Sequence, residues 1–278
     1  VEHAMPKKPT APAYTTLDVT VRNAIAIVTL NRPDVHNAFN ETLIAELTTA
    51  LRALGDDDAV RAVILAGNGP SFCAGADLNW MKKMAGYGHA ENVADAQALA
   101  EMLRTLHAVP KPTIARVHGA AYGGGVGLVA CCDIAVGAVE ATFALSESKL
   151  GLIPSTISPY VINAIGARQA SRYFLTAERF EAAEAYRIGL LHDIVPIAQL
   201  DDRINELLGP LMLAGPQAQR ECKALIAAVA HRPIDAALIA DTVRRIADVR
   251  ASPEGKEGVG AFLGKRAAGW VPPELRRK

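Results

Sequence analysis

The chain lacks a net charge: its 278 residues set 29 basic against 29 acidic side chains. A surface with no dominant sign argues against a general nucleic-acid or membrane-surface binder, though it leaves room for one local basic patch facing a phosphorylated ligand. Cysteine is scarce, and Cys73, Cys131, Cys132 and Cys222 form no C-x-x-C pair and have no histidines at ligand spacing, so a zinc site is not expected. The adjacent Cys131 and Cys132 read as small buried residues, in keeping with a reducing, cytoplasmic compartment. No apolar run reaches the length of a membrane span, and no charged-then-apolar signal segment is present. A spaced G-x-G-x-x-G and a P-loop ending in Lys-Ser or Lys-Thr are both missing, which removes the two common nucleotide fingerprints.

What is present is apolar bulk. Hydrophobic residues make up 50% of the chain, enough for a sizeable core in one large domain or two small ones. Residues 1–13, rich in Pro and Lys, read as a disordered leader or an expression remnant, with Val1–Ala4 standing ahead of Met5. Tyr14–Asn23 and Ala24–Leu30 alternate as two strands of a hairpin with its turn at Arg22-Asn23. Asn40 then caps a helix that carries Leu43, Ile44, Leu47, Leu51 and Leu54 on one face. A strand over 60–66, a helix over 91–107 and a strand over 113–117 follow, making a right-handed crossover unit with helices outside a sheet. From about Ala167 the pattern is helical almost throughout, which divides the chain into a core over 14–200 and a helical region over 201–278.

Two glycine-bearing turns interrupt this pattern, each directly after a buried strand. One is Ser71-Phe72-Cys73-Ala74-Gly75-Ala76-Asp77-Leu78; the other is His118-Gly119-Ala120-Ala121-Tyr122-Gly123-Gly124-Gly125. Glycines at a strand-to-helix junction either permit tight packing alone or let a ligand approach the free N–H groups of the first helical turn. Two such turns together could place two backbone donors around an oxygen that acquires negative charge. Glu147 lies in Phe143-Ala144-Leu145-Ser146-Glu147, a stretch otherwise short of charge. It reads either as a helix-start carboxylate behind a capping Ser146 or as a carboxyl whose pKa apolar surroundings raise toward proton-transfer chemistry.

The set Leu30-Asn31-Arg32-Pro33 with Asn37-Ala38, Phe72 to Leu78, His118-Gly119 with Gly123-Gly124-Gly125, and Cys132-Asp133-Ile134 resembles the enoyl-CoA hydratase/isomerase (crotonase) superfamily. The match continues through Phe143-x-x-x-Glu147, Leu150-Gly151-Leu152-Ile153-Pro154 and Ala261-Phe262-Leu263-x-Lys265-Arg266, and so spans nearly the whole chain. The resemblance implies an α/β fold: a crotonase-type spiral of ββα turns with a helical C-terminal trimerisation region, assembled as a homotrimer or as a hexamer of paired trimers. It implies an acyl-CoA thioester substrate and no separate cofactor or metal. By the same resemblance the N–H groups of Ala76 and Gly124 hold the thioester oxyanion and Glu147 is the acid and base. The backbone around Ala74, Ala76, Asp77 and Leu78 takes the adenine end of CoA.

Lys265 is equally readable as a solvated tail charge and as a phosphate contact to the CoA of a neighbouring subunit. Two-glutamate hydratases carry a second carboxylate where this chain has Gly127, which leaves either a single-glutamate mechanism, as in enoyl-CoA isomerases, or room for a bulkier or charged acyl group. The block from Phe143 to Val161, with Tyr173 to Phe180, is similar to bacterial methylglutaconyl-CoA hydratases of leucine and isovalerate breakdown. Ser155 in that block could hold a distal substrate carboxylate or could cap the helix that follows. RNA binding, known for one branch of those hydratases through a lysine-rich helix, is disfavoured here because residues 85–101 are neutral to acidic.

Overall fold

The structure, a computed structural model, describes residues 14–276, so the leader expected over 1–13 lies outside the described residues. Strands β1 (Leu17–Arg22) and β2 (Ile25–Leu30) form the expected antiparallel hairpin. Its turn is Asn23-Ala24, one residue later than the sequence reading, and both residues take positive φ (50° and 64°). That is the mirror-image turn whose twist matches a right-twisted hairpin. Helix α1 (Glu41–Asp56) starts where expected: Asn40 Oδ1 accepts the Leu43 N–H at 2.9 Å, and the five predicted core positions are buried.

Next come β3 (Ala62–Gly67), α2 (Leu78–Met84), α3 (His89–Ala108), β4 (Thr113–Val117), β5 (Ala120–Tyr122), α4 (Gly124–Cys131), β6 (Ile134–Ala138) and β7 (Thr142–Ala144). They are followed by α5 (Ser158–Thr176), β8 (Arg179–Glu181), α6 (Ala182–Arg187), β9 (Asp193–Val195), α7 (Leu200–Leu213), α8 (Pro216–Val229), α9 (Ala236–Ala251) and α10 (Pro253–Leu263). The short strands β8 and β9 correct the expectation of helix almost throughout this region. At three residues each, they are too short to show a period of two.

A six-stranded sheet runs in the order β1-β2-β3-β4-β6-β9, and every pairing beyond the first hairpin is parallel. A second sheet, β5-β7-β8, stands beside it. After β4 and again after β6, the chain leaves the large sheet and within a few residues lays a short strand in the small one. The segment after β3 does the same in miniature, through an isolated bridge between Cys73 and Ala121. Three successive turns of the chain thus place 73–76, β5 and β7 side by side. This is the layered α/β spiral expected from the sequence.

Apolar contacts fill both faces of the large sheet. One cluster joins β2–β4 to α1, α3, α4 and α5; a smaller one joins Ile64, Ile114, Val136 and Ala138 to Leu200 and Ile204 of α7. Helix α7 is therefore part of the sheet's cover, although the 200/201 boundary read from sequence falls at its first residue. Helices α8, α9 and α10 pack chiefly on one another. Among the described residues, no helix is long and apolar enough to cross a membrane.

Candidate active site

The three aligned segments each end at a residue singled out in the sequence. The first ends at Ala76, the second runs through β5 into Gly123 and Gly124, and the third runs through β7 to Glu147. Phe39 fixes the first by a parallel bridge: its N–H donates to Gly75 O at 2.6 Å, and its carbonyl accepts from the Asp77 N–H at 2.9 Å. In extended backbone, alternate residues turn their polar groups to opposite sides, so the Ala76 N–H points away from Phe39. Among the described residues it donates to no protein acceptor, and neither does the N–H of Gly124, the first residue of α4.

Gly75 (φ 92°) and Gly123 (φ 49°) let these segments touch. A Cβ on Gly123 would stand 3.1 Å from Glu147 Oε1 and 4.0 Å from the Gly75 Cα. Glu147 therefore lies over the glycine turn, beside Gly123, which in turn packs against Gly75. Ser146 makes no capping bond, and Glu147 opens a one-turn 3-10 helix instead of an α-helix, so the capped helix-start reading does not hold. Its Oε2 is buried with no hydrogen-bond partner. Burial pushes the carboxyl above the ordinary carboxylate range, and the hydrogen bond from its own backbone N–H offsets part of that rise. A half-buried carboxyl with one oxygen unpartnered, close to two free donors, is equipped to move a proton next to a polarised carbonyl.

The comparisons with known proteins show the family. Residues 20–272 match the enoyl-CoA hydratase/isomerase family. A crotonyl-CoA hydratase of Syntrophomonas wolfei is 32% identical over 261 residues, covering 93% of this chain and 99% of that protein. A hydroxycinnamoyl-CoA hydratase-lyase of Pseudomonas fluorescens is 34% identical over 213 residues, covering 76% and 77%. The crystal structure of an enoyl-CoA hydratase from Shewanella pealeana superposes with a TM-score of 0.90 at 42% identity, covering 92% of this chain and 96% of that one. The chain belongs to the enoyl-CoA hydratase/isomerase family. It is an enzyme, and these named relatives are hydro-lyases.

Within this family member, the remaining predicted residues divide. The Ala74 N–H is tied to His36 O at 2.9 Å, and Leu78 is exposed at the start of α2. The Asp77 side chain is committed to the fold: it accepts from the N–H groups of Asn79 (2.7 Å) and Trp80 (3.3 Å), capping α2, and pairs with Arg32 at 2.8 Å. Its backbone is engaged as well, the N–H by Phe39 O and the carbonyl by the Met81 N–H at 2.8 Å. Ser155 is exposed, and its hydroxyl does not cap α5; the α5 N-terminus has no side-chain cap. Gly127 corrects the idea of added room, because a Cβ there would stand 2.9 Å from the Ile157 Cβ and 3.6 Å from Leu103 Cδ2. The space beside it is core, closed to an acyl group.

Lys265 is exposed just beyond α10 and is not brought to the site within one chain. Arg61, at the start of β3, holds the C-terminal segment through the carbonyls of Ala214 (2.7 Å) and Trp270 (3.3 Å). The site sits past the other end of that strand. Sequence reasoning passed over Phe39 and Ile157. Their roles depend on facing a glycine from another segment, which no local pattern records.

Proposed function

We propose that this enzyme adds water reversibly across the C2–C3 double bond of an enoyl-CoA thioester. The observation that carries the reading is the half-buried Glu147 carboxyl, its Oε2 without a hydrogen-bond partner, lying over Gly123 next to the segments that carry the free N–H groups of Ala76 and Gly124. The thioester oxygen accepts from those two donors. Glu147 takes a proton from water as the water oxygen bonds to C3, and the double-bond electrons move onto the carbonyl as an enolate. The enolate then collapses, and C2 takes the proton back from Glu147. Donors fixed before the reaction stabilise the enolate without reorganising, which is why such sites are effective.

The acyl group we assign is branched: 3-methylglutaconyl-CoA, giving 3-hydroxy-3-methylglutaryl-CoA. The resemblance of the Phe143–Val161 block supports this, as does the exposed Ser155, whose hydroxyl no helix cap consumes. A second reading, isomerisation of 3-enoyl-CoA esters, is favoured by the apolar filling at Gly127, since moving one proton between carbons needs only one carboxyl. We further propose that the chain assembles as a trimer or paired trimers, with Lys265 serving the CoA of a neighbouring copy.

The test offers 3-methylglutaconyl-CoA and crotonyl-CoA in parallel, follows double-bond loss in the ultraviolet and identifies the product by mass. Preferential gain of water by the branched ester is expected. Preference for crotonyl-CoA would overturn the acyl assignment. Loss from neither, with turnover of 3-enoyl esters, would replace hydration by isomerisation.

A further inference from the structure

The geometry points to Phe39 as a positioning residue that sets the spacing between the two oxyanion donors. This rests on the oxyanion reading above and identifies what holds its two halves in register. Those halves come from different turns of the spiral, 73–76 and the start of α4, and Phe39 meets both. Its backbone bridges Ala76, with the 2.6 Å bond to Gly75 O and the 2.9 Å bond from the Asp77 N–H. Its ring lies against Gly124: a Cβ there would overlap the ring edge, with Cδ2 2.8 Å away.

Phe39 is itself held on every side. It is 1% exposed, Arg32 bonds the carbonyl of Ala38 just before it, and Asn40 just after it caps α1. Behind that, the buried Asn37 side chain donates to Asn68 O and Ser71 O, both at 2.8 Å, and accepts from the Arg32 N–H at 2.8 Å. The loop after β2 is thus bolted to the loop after β3, and a flat ring extends from that joint to the α4 N-terminus. A flat aromatic with two side-chain torsions is a stiff spacer; a shorter aliphatic chain would let the α4 end settle toward it.

The prediction is that F39L lowers kcat roughly tenfold to a hundredfold while KM stays within about twofold, because the donors matter most as the enolate forms. The spectroscopic readout uses butyryl-CoA, saturated and therefore inert to hydration, labelled with carbon-13 at the carbonyl. In the wild-type enzyme its carbonyl stretch should fall on binding, and in F39L it should return toward the free value.

F39M, which keeps more of the bulk, is the second variant should F39L fail to fold. L47A, a core truncation on α1, controls for stability alone and should leave the carbonyl shift in place. A wild-type shift retained in full by F39L or F39M, or lost equally in L47A, overturns the spacer role. Absence of any shift in the wild type overturns the oxyanion reading itself, and the spacer with it.

Discussion

Glu147 is where the cost of function is concentrated. Its carboxyl is raised by burial, so in the pH interval between its unfolded and folded pKa values the folded state holds the extra proton, and stability falls as pH rises through that interval. At neutral pH the ionised group is a burden on the fold. E147Q should therefore stabilise the protein at pH 7, on the order of 1 kcal/mol, seen as a higher Tm. It should bind CoA esters nearly as well and lose turnover roughly 10²- to 10⁴-fold; retained turnover would remove Glu147 from its role. Hydration needs the ionised form to accept the proton of water, so kcat/KM in that direction should rise with pH through the raised pKa and then level. Dehydration starts from the same ionised carboxylate, which removes the C2 proton, so it should show the same rising limb. Gly127 makes a different prediction. G127A places a methyl against Ile157 and should cost about 1–3 kcal/mol by overpacking, measured in urea, and G127E should fail to supply a second working carboxylate.

The start of α2 couples stability to acid pH through Asp77. Burial alone would raise the Asp77 carboxyl, but the hydrogen bond from Arg32 and the two α2 amides outweigh it and leave the group below its usual range. The stability it supplies is present above the unfolded value, near pH 4, and is lost as pH falls through the lower folded value. D77N keeps a capping oxygen and loses the ion pair, so it should cost about 1–3 kcal/mol at pH 7 and flatten the acid limb; D77A should cost about 1 kcal/mol more. Equal losses in the two variants would show that the cap contributes nothing. Helix α2 was not legible in the sequence, since the seven residues of Leu78–Met84 are too few to show a helical period, whereas α1 announced itself by its cap and apolar stripe. The long strands β3 and β4 were equally readable. The three-residue strands were not, because what defines β5, β7 and β8 is their neighbours across the small sheet. The same split runs through the site: Glu147 and the glycine turns stood out as chemistry in an apolar setting, while Phe39 looked like any core aromatic.

At the scale of the whole molecule, α8–α10 leave large apolar residues uncovered. Ile226, Ile239, Val243, Ile246, Phe262 and Leu263 are all exposed there, Phe262 at 82% and Leu263 at 74%. Large apolar residues gathered on one exposed region mark association surfaces. Placement adds a functional reason for association. The C-terminal segment is pinned at the start of β3, and the candidate site lies past its far end, a strand length of about 17 Å or more away. If Lys265 meets a CoA phosphate, that phosphate belongs to another copy. Sedimentation should accordingly return three times the 29.4 kDa chain mass, or twice that again, and F262E combined with L263E should shift the mass toward one copy. K265A should leave both the assembled mass and kcat close to wild type while raising KM for the CoA ester roughly three- to tenfold, an effect that added salt diminishes in the wild type. A monomeric wild type at full activity would return Lys265 to the status of a solvated charge and would require another source for the phosphate contact.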